Sequence, residues 1–178
     1  KPGNSVMGGS VTTRNLRAFA CMLCISAVAQ TPREVWSYSA RSNLYAAPIV
    51  TDIHPSPGSE ILIGDSEARA LTCVSSSGRE LWSYRGPWTK RQASSAAVSA
   101  TARTGKKTVA IANGNGVVCA LDAQSGEELW RQAVARVDRG GLVWADLDGN
   151  DRDELIVCAD DGVARVLDAD GAALWSSD

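Results

Sequence analysis

The chain has 178 residues, 44% of them hydrophobic, which is enough to pack the core of an ordinary domain and excludes a disordered chain. With 18 Lys and Arg against 20 Asp and Glu, the formal charge of -2 offers no broad field to a nucleic acid or an anionic membrane. The single histidine, His54, argues against a histidine-dependent hydrolase triad and a multi-histidine zinc site, leaving carboxylates or a cofactor for any catalysis.

Residues 1–6 precede the first Met as an unexplained leader. Arg14 and Arg17 then stand ahead of an apolar run, Ala18 to Val28, and Ala27-Val28-Ala29 supplies the small residues a signal peptidase site requires. Residues 7–29 read as a signal peptide, with a short buried helix as the alternative. The run falls short of the about 20 residues a membrane span needs, so no span is expected after its removal. The remainder is expected to be exported, periplasmic or extracellular. Cys21 and Cys24 lie inside the signal and follow no lipobox pattern. The remaining Cys73, Cys119 and Cys158 are odd in number, which rules out a fully paired disulfide framework, and they read as small buried hydrophobes.

From residue 30 onward the chain repeats. Val35-Trp36, Leu81-Trp82, Leu129-Trp130 and Leu174-Trp175 place a tryptophan at intervals of 46, 48 and 45 residues. Within each interval, short alternating runs are separated by turn residues, the pattern of half-buried antiparallel strands. The first unit uses 46–52, 60–64, 69–74 and 79–84. The second uses 96–102, 108–112, 117–122 and 127–132, with Asn113-Gly114-Asn115-Gly116 read as a hairpin turn because no helix follows to make it a phosphate loop. The third uses 141–146, 154–159, 163–168 and 172–176, turning at Asp161-Gly162 and Asp170-Gly171. A period of about 40 to 50 residues with four strands each is that of propeller blades. The prediction is an all-β fold, a partial β-propeller of about three four-stranded antiparallel blades (about 40–84, 92–134 and 138–178) plus one extra outer strand.

The stretch Ala120 to Trp130, ALDAQSGEELW, resembles the tryptophan-docking motif of the PQQ-like (quinoprotein-type) β-propeller repeat family, Ala-x-Asp-x-x-Thr/Ser-Gly-x-x-x-Trp. The unit ending at Trp82 keeps Ser77-Gly78 and the Trp, with Thr72 and Val74 in the Ala and Asp places, and the unit ending at Trp175 has one residue fewer before Gly171. The resemblance covers about residues 34 to 178. It implies that Trp36, Trp82, Trp130 and Trp175, with Gly78, Gly126 and Gly171, dock neighbouring blades. Trp88 and Trp144 break the period, which suits them to exposed or pocket positions as well as to packing.

The turn Asp146 to Glu154 spaces oxygens at loop positions 1, 3, 5 and 9, with a carbonyl at 7, so Asp146, Asp148, Asn150, Arg152 and Glu154 are the candidate ligands of one hard cation. It resembles the calcium loop of FG-GAP propeller repeats, departing at Asn150, at Asp151 where Gly is usual, and at Glu154. A structural calcium is therefore expected, with solvated turn carboxylates as the alternative. The equivalent turn of the first unit offers Asp52, His54, Ser56 and Glu60, a poor hard-cation set, and that of the second offers Ala100, Ala102, Thr104 and Thr108, which hold nothing.

Two functions compete. One is an exported, non-catalytic binding or scaffold module for a protein or polysaccharide partner. In its favour the sequence lacks the adjacent Cys-Cys pair of many quinoprotein dehydrogenases. The other is an N-terminal fragment of a PQQ-dependent alcohol or sugar dehydrogenase, although PQQ is not expected to bind these three units alone. Known propellers close with about 4 to 8 blades, so the chain is expected either to continue or to associate with copies of itself through its open blade edges.

Overall fold

In the computed structural model, residues 33–40, 44, 46–65, 68–86, 96–100, 106–137 and 141–177 are described. The segment 7–29, expected to be a signal peptide, lies outside them with its Cys21 and Cys24, as does Trp88. Residues Glu34–Asp178 form one compact unit.

The strands are β1 (Ile49–Thr51), β2 (Glu60–Asp65), β3 (Ala70–Val74), β4 (Glu80–Arg85), β5 (Ala97–Val98), β6 (Thr108–Ala112), β7 (Val117–Asp122), β8 (Glu128–Ala133), β9 (Leu142–Ala145), β10 (Glu154–Cys158), β11 (Ala164–Leu167) and β12 (Ala173–Ser176). They form three four-stranded sheets, each an antiparallel meander in chain order: β1 to β4, β5 to β8, and β9 to β12. We call these blades 1, 2 and 3. The fold is the partial propeller that the repeat predicts. The first strand of each blade is shorter than its apolar run. Residues 33–40 make no strand pairing among the described residues, since a strand requires a neighbouring edge for its amides and carbonyls.

Every blade carries the same irregularity. The register slips between Cys73 and Val74, between Ala120 and Leu121, and between Val166 and Leu167. The extra residue on the fourth strand is the leucine ahead of each tryptophan: Leu81, Leu129 or Leu174. Such a bulge increases twist and re-aims the next side chain.

Cross-strand register then aligns one row of four residues on the same face of each blade. The rows are Ile49, Leu62, Cys73 and Trp82; Ala97, Ala110, Ala120 and Trp130; and Val143, Ile156, Val166 and Trp175. The first row packs against Val109, Ile111, Cys119 and Leu121 of blade 2. From the second row, Ala97 and Ala110, with Trp130 at the margin, pack against Leu142, Trp144, Leu155, Val157 and Leu167 of blade 3. Burying each such aliphatic side chain contributes about 1.5–3 kcal/mol, so the seams between blades are the hydrophobic core.

Seam 2–3 also explains Trp144. The small side chains of Ala97 and Ala110 stand where blade 1 carries Ile49 and Leu62, and Trp144 packs in the same core as those alanines at 8% exposure. Its ring meets Trp130 edge-on, centroids 6.5 Å apart at 69°, a favoured aromatic arrangement. Of its two sequence expectations, packing holds.

Candidate functional site

In a meander, the first loop and the last turn of a blade lie at the same end, and that end brings together most of the chemistry-bearing side chains. Here each tryptophan reaches across a seam to the turn of the next blade. The indole Nε1 of Trp36 donates to the Ser76 carbonyl at 2.9 Å, that of Trp82 to Ala123 at 3.1 Å, and that of Trp130 to Ala169 at 2.9 Å. The ring lies over the turn glycine. A β-carbon at Gly78, Gly126 or Gly171 would come within 3.0, 2.6 and 2.7 Å of Trp36, Trp82 and Trp130 respectively. Real β-carbons essentially never come as close as the distances at Gly126 and Gly171, and the one at Gly78 is at the tight end of real contacts. Trp175 has no such seat among the described residues and is 55% exposed.

The Asp of the motif caps the same turn. Asp122 Oδ1 accepts the amides of Gln124 and Ser125 and the Ser125 hydroxyl, and Asp168 Oδ1 accepts those of Asp170 and Ala172. Partial burial raises the Asp122 carboxyl, but these bonds and the Lys106 ammonium at 3.7 Å outweigh it and hold the group below its ordinary range. In blade 1, Ser75 does this work, accepting the Arg79 amide at its hydroxyl, and Cys73 faces Trp82 as Ala120 faces Trp130. Placing Thr72 and Val74 in the motif's Ala and Asp positions is therefore off by one residue. The turn of blade 2 is the longer one: Gly126 donates to Asp122 four residues back, whereas Gly78 and Gly171 donate three residues back.

The acidic loop between β9 and β10 brings Asp146, Asp148 and Glu154 together, each with an oxygen within 4.8 Å of the others. Asn150 stands in the same loop between Asp148 and Glu154. Its side-chain oxygen accepts the Arg152 amide at 2.8 Å and its Nδ2 donates to Asp148 Oδ2 at 2.8 Å. The Arg152 guanidinium turns to Asp170 Oδ2 at 3.0 Å. Asp146 accepts the amides of Gly149, Asn150 and Asp151. Desolvation raises its carboxyl, yet these donors and the Asp148 amide together hold it below the usual carboxylate range. Asp151 takes φ +60°, a conformation Asp tolerates better than most residues. Three converging acceptor-only groups suit a hard cation, with water completing the six to eight oxygens calcium takes.

Blade 1 supplies a control. Its loop 52–59 matches 146–153 in length, and Glu60 Oε2 accepts the Ile53 amide at 3.0 Å as Glu154 Oε2 accepts that of Leu147 at 2.8 Å. Glu60 is fully buried, also holding the His54 amide and the Ser56 hydroxyl. The glutamate at this position is thus a loop cap in its own right, whether or not acidic residues surround it. Sequence reasoning missed this role, although the equal loop lengths signal it. It also missed Asp153, whose Oδ2 accepts the Ala100 amide of blade 2 at 2.8 Å, and Lys107, whose Nζ donates to the Asp52 carbonyl of blade 1 at 2.9 Å. Neither Asp153 nor Lys107 belongs to the repeated tryptophan–glycine motif, so these two contacts leave no periodic trace.

No helix among the described residues is long and apolar enough to cross a membrane. Among solved structures, the chain is similar to BamB from Moraxella catarrhalis, with 23% identity and a TM-score of 0.57 over 80% of this chain and 39% of that one. It is also similar to the WD40 repeats of RRP9, with 17% identity and a TM-score of 0.61 over 78% and 39%. A europium-containing methanol dehydrogenase matches at 16% identity and a TM-score of 0.58 over 82% and 27%. At these identities the likeness establishes the propeller fold alone, and the chain spans about two fifths or less of each relative's length. No curated protein sequence matches. The sequence model of one family, described as outer membrane protein assembly factor BamB, matches residues 23–150 and 88–178. Those matches take in all three blades, and the chain belongs to that family.

Proposed function

We propose that these blades are part of a larger closed propeller, exported from the cytoplasm, that acts as a non-catalytic scaffold and presents its loop end to a protein or polysaccharide of the cell envelope. One observation carries the reading: the row Val143, Ile156, Val166 and Trp175 repeats the rows that blades 1 and 2 bury against their neighbours, yet Val143 and Trp175 are each 55% exposed. A further blade with a glycine turn fits that face. Trp36 supports the same view, because it sits on the Gly78 turn and, among the described residues, its segment pairs with no sheet. The family's description as an outer membrane assembly factor supports a scaffold role. In this reading the acidic loop takes a structural calcium through Asp146, Asp148 and Glu154, which ties the loop to the blade edge, and no quinone takes part. A second copy of the chain is the other occupant of the exposed face.

The test compares outer membranes from cells with and without the gene. A fall in β-barrel protein content on deletion supports the scaffold, and unchanged content removes it. Full-length protein supplied with PQQ and calcium is assayed in parallel for dye reduction with alcohols or sugars; turnover would replace the scaffold with the dehydrogenase reading. Light scattering of the full-length protein separates a closed monomer from self-association.

A further inference from the structure

The scaffold reading leaves one chain of groups in blade 1 unused: His54, Ser56 and Glu60. The loops 52–59 and 146–153 share a second contact besides the glutamate cap. The Ser56 amide meets His54 Nδ1 at 3.0 Å as the Asn150 amide meets Asp148 Oδ1 at 3.1 Å. An imidazole thus stands where blade 3 has a carboxylate. A carboxylate can only accept, whereas an imidazole nitrogen accepts or donates according to its proton.

That choice has consequences here because Nδ1 has two neighbours. Ser56 Oγ lies 2.9 Å from it and donates to Glu60 Oε1 at 3.0 Å. The hydroxyl has one proton, and the carboxylate takes it. When Nδ1 is bare it accepts the Ser56 amide. When Nδ1 is protonated it donates to the Ser56 hydroxyl, and the amide loses its acceptor. The two arrangements exclude each other.

We infer that His54 is a proton-operated switch of the β1–β2 loop, in which protonation of Nδ1 moves the imidazole from the Ser56 amide to the Ser56 hydroxyl and closes a relay to the buried Glu60. Among the described residues, the charged groups that line one cleft of about 270 Å³ with His54 are Asp52 of its own loop and, across seam 1–2, Lys106, Lys107 and Asp122 of blade 2. Lys106 is paired with Asp122. Lys107 holds the Asp52 carbonyl, so a change in the loop is passed to the seam.

Amide exchange measured by NMR on the protein, between about pH 5 and 8 where histidine charges, tests this. The Asn150 amide is the internal reference, because its acceptors are the carboxylates of Asp146 and Asp148 rather than an imidazole. The protection of Ser56 relative to Asn150 is expected to fall about threefold or more as His54 gains its proton, with the same midpoint as the imidazole signals, and to stay flat in His54→Asn. A ratio that is flat in the unsubstituted protein, or that moves equally in His54→Asn, overturns the switch. Should His54→Asn fail to fold, the ¹⁵N shift of Nδ1 in the unsubstituted protein decides: a nitrogen bare at high pH and protonated at low pH supports the switch, and one protonated throughout overturns it.

Discussion

The six-membered ring of Trp82 lies so close over Gly126 that a β-carbon there would come within 2.6 Å of it, while its Nε1 donates to Ala123 three residues earlier in the same turn. Packing and hydrogen bonding thus fix one indole from both sides. Gly126→Ala is expected to destabilise the fold by about 2–4 kcal/mol, combining the overpacking of a filled site with the strain of φ +74°. Gly149→Ala, at φ +77° with nothing within 4 Å, is expected to show only the backbone part, about 1–2 kcal/mol. Urea unfolding followed by tryptophan fluorescence measures both.

Truncation of the tryptophans separates filled seams from the open face. Trp82→Ala is expected to cost about 3–5 kcal/mol. In the three-blade chain Trp175→Ala is expected to cost much less, since Trp175 is largely exposed. In the full-length protein its cost is expected to rise toward that of Trp82→Ala. Equal, small costs in both lengths would refute the further blade.

Calcium at millimolar concentration is expected to raise the melting temperature, through preferential binding to the folded loop. Asp148→Asn is expected to abolish the rise while leaving the metal-free stability little changed, because Asp148 is exposed. No shift on adding calcium retires the ion and leaves Glu154 as a cap alone.

Acid weakens the turns in a predictable direction. Asp122 and Glu128 are held below their ordinary range; burial opposes this for both, and is outweighed at Asp122 by turn amides and Lys106, and at Glu128 by Arg131 and the Tyr84 hydroxyl. The unfolded chain therefore takes up these protons first as pH falls, so their stabilisation is intact above about pH 5 and is lost below about pH 4. Asp122→Asn is expected to flatten that part of the stability curve measured by urea unfolding at stepped pH.

Thiol reactivity follows burial. Cys73 is pushed up to about 12 by desolvation, with the Glu60 charge adding to it, and the buried Cys119 is raised by desolvation as well. Of the three blade cysteines, only the exposed Cys158 is expected to react with a thiol reagent in the folded protein. Rapid labelling of Cys73 would mean that seam 1–2 opens.

The blades were legible in the sequence because each seam needs one large ring, and the spacing of Trp36, Trp82, Trp130 and Trp175 counts the seams directly. The turn frame of blade 1 was not, because one residue more or less before the glycine leaves the docking geometry intact, so Ser75 takes the place of an Asp that alignment by motif assigns to Val74. For the acidic loop, spacing correctly grouped Asp146, Asp148 and Glu154. Spacing could not foretell the loop's own bonds, in which the Asn150 side chain accepts the Arg152 amide and donates to Asp148.

The alanine face of blade 2 has a consequence for how such a chain can be rearranged. Small side chains at Ala97 and Ala110 share a core with Trp144, whereas the same row of blade 1 carries the bulkier Ile49 and Leu62. Side-chain volume therefore works as a key between particular neighbours, and the blades cannot be shuffled, duplicated or exchanged singly without also recutting the lock on the adjoining one.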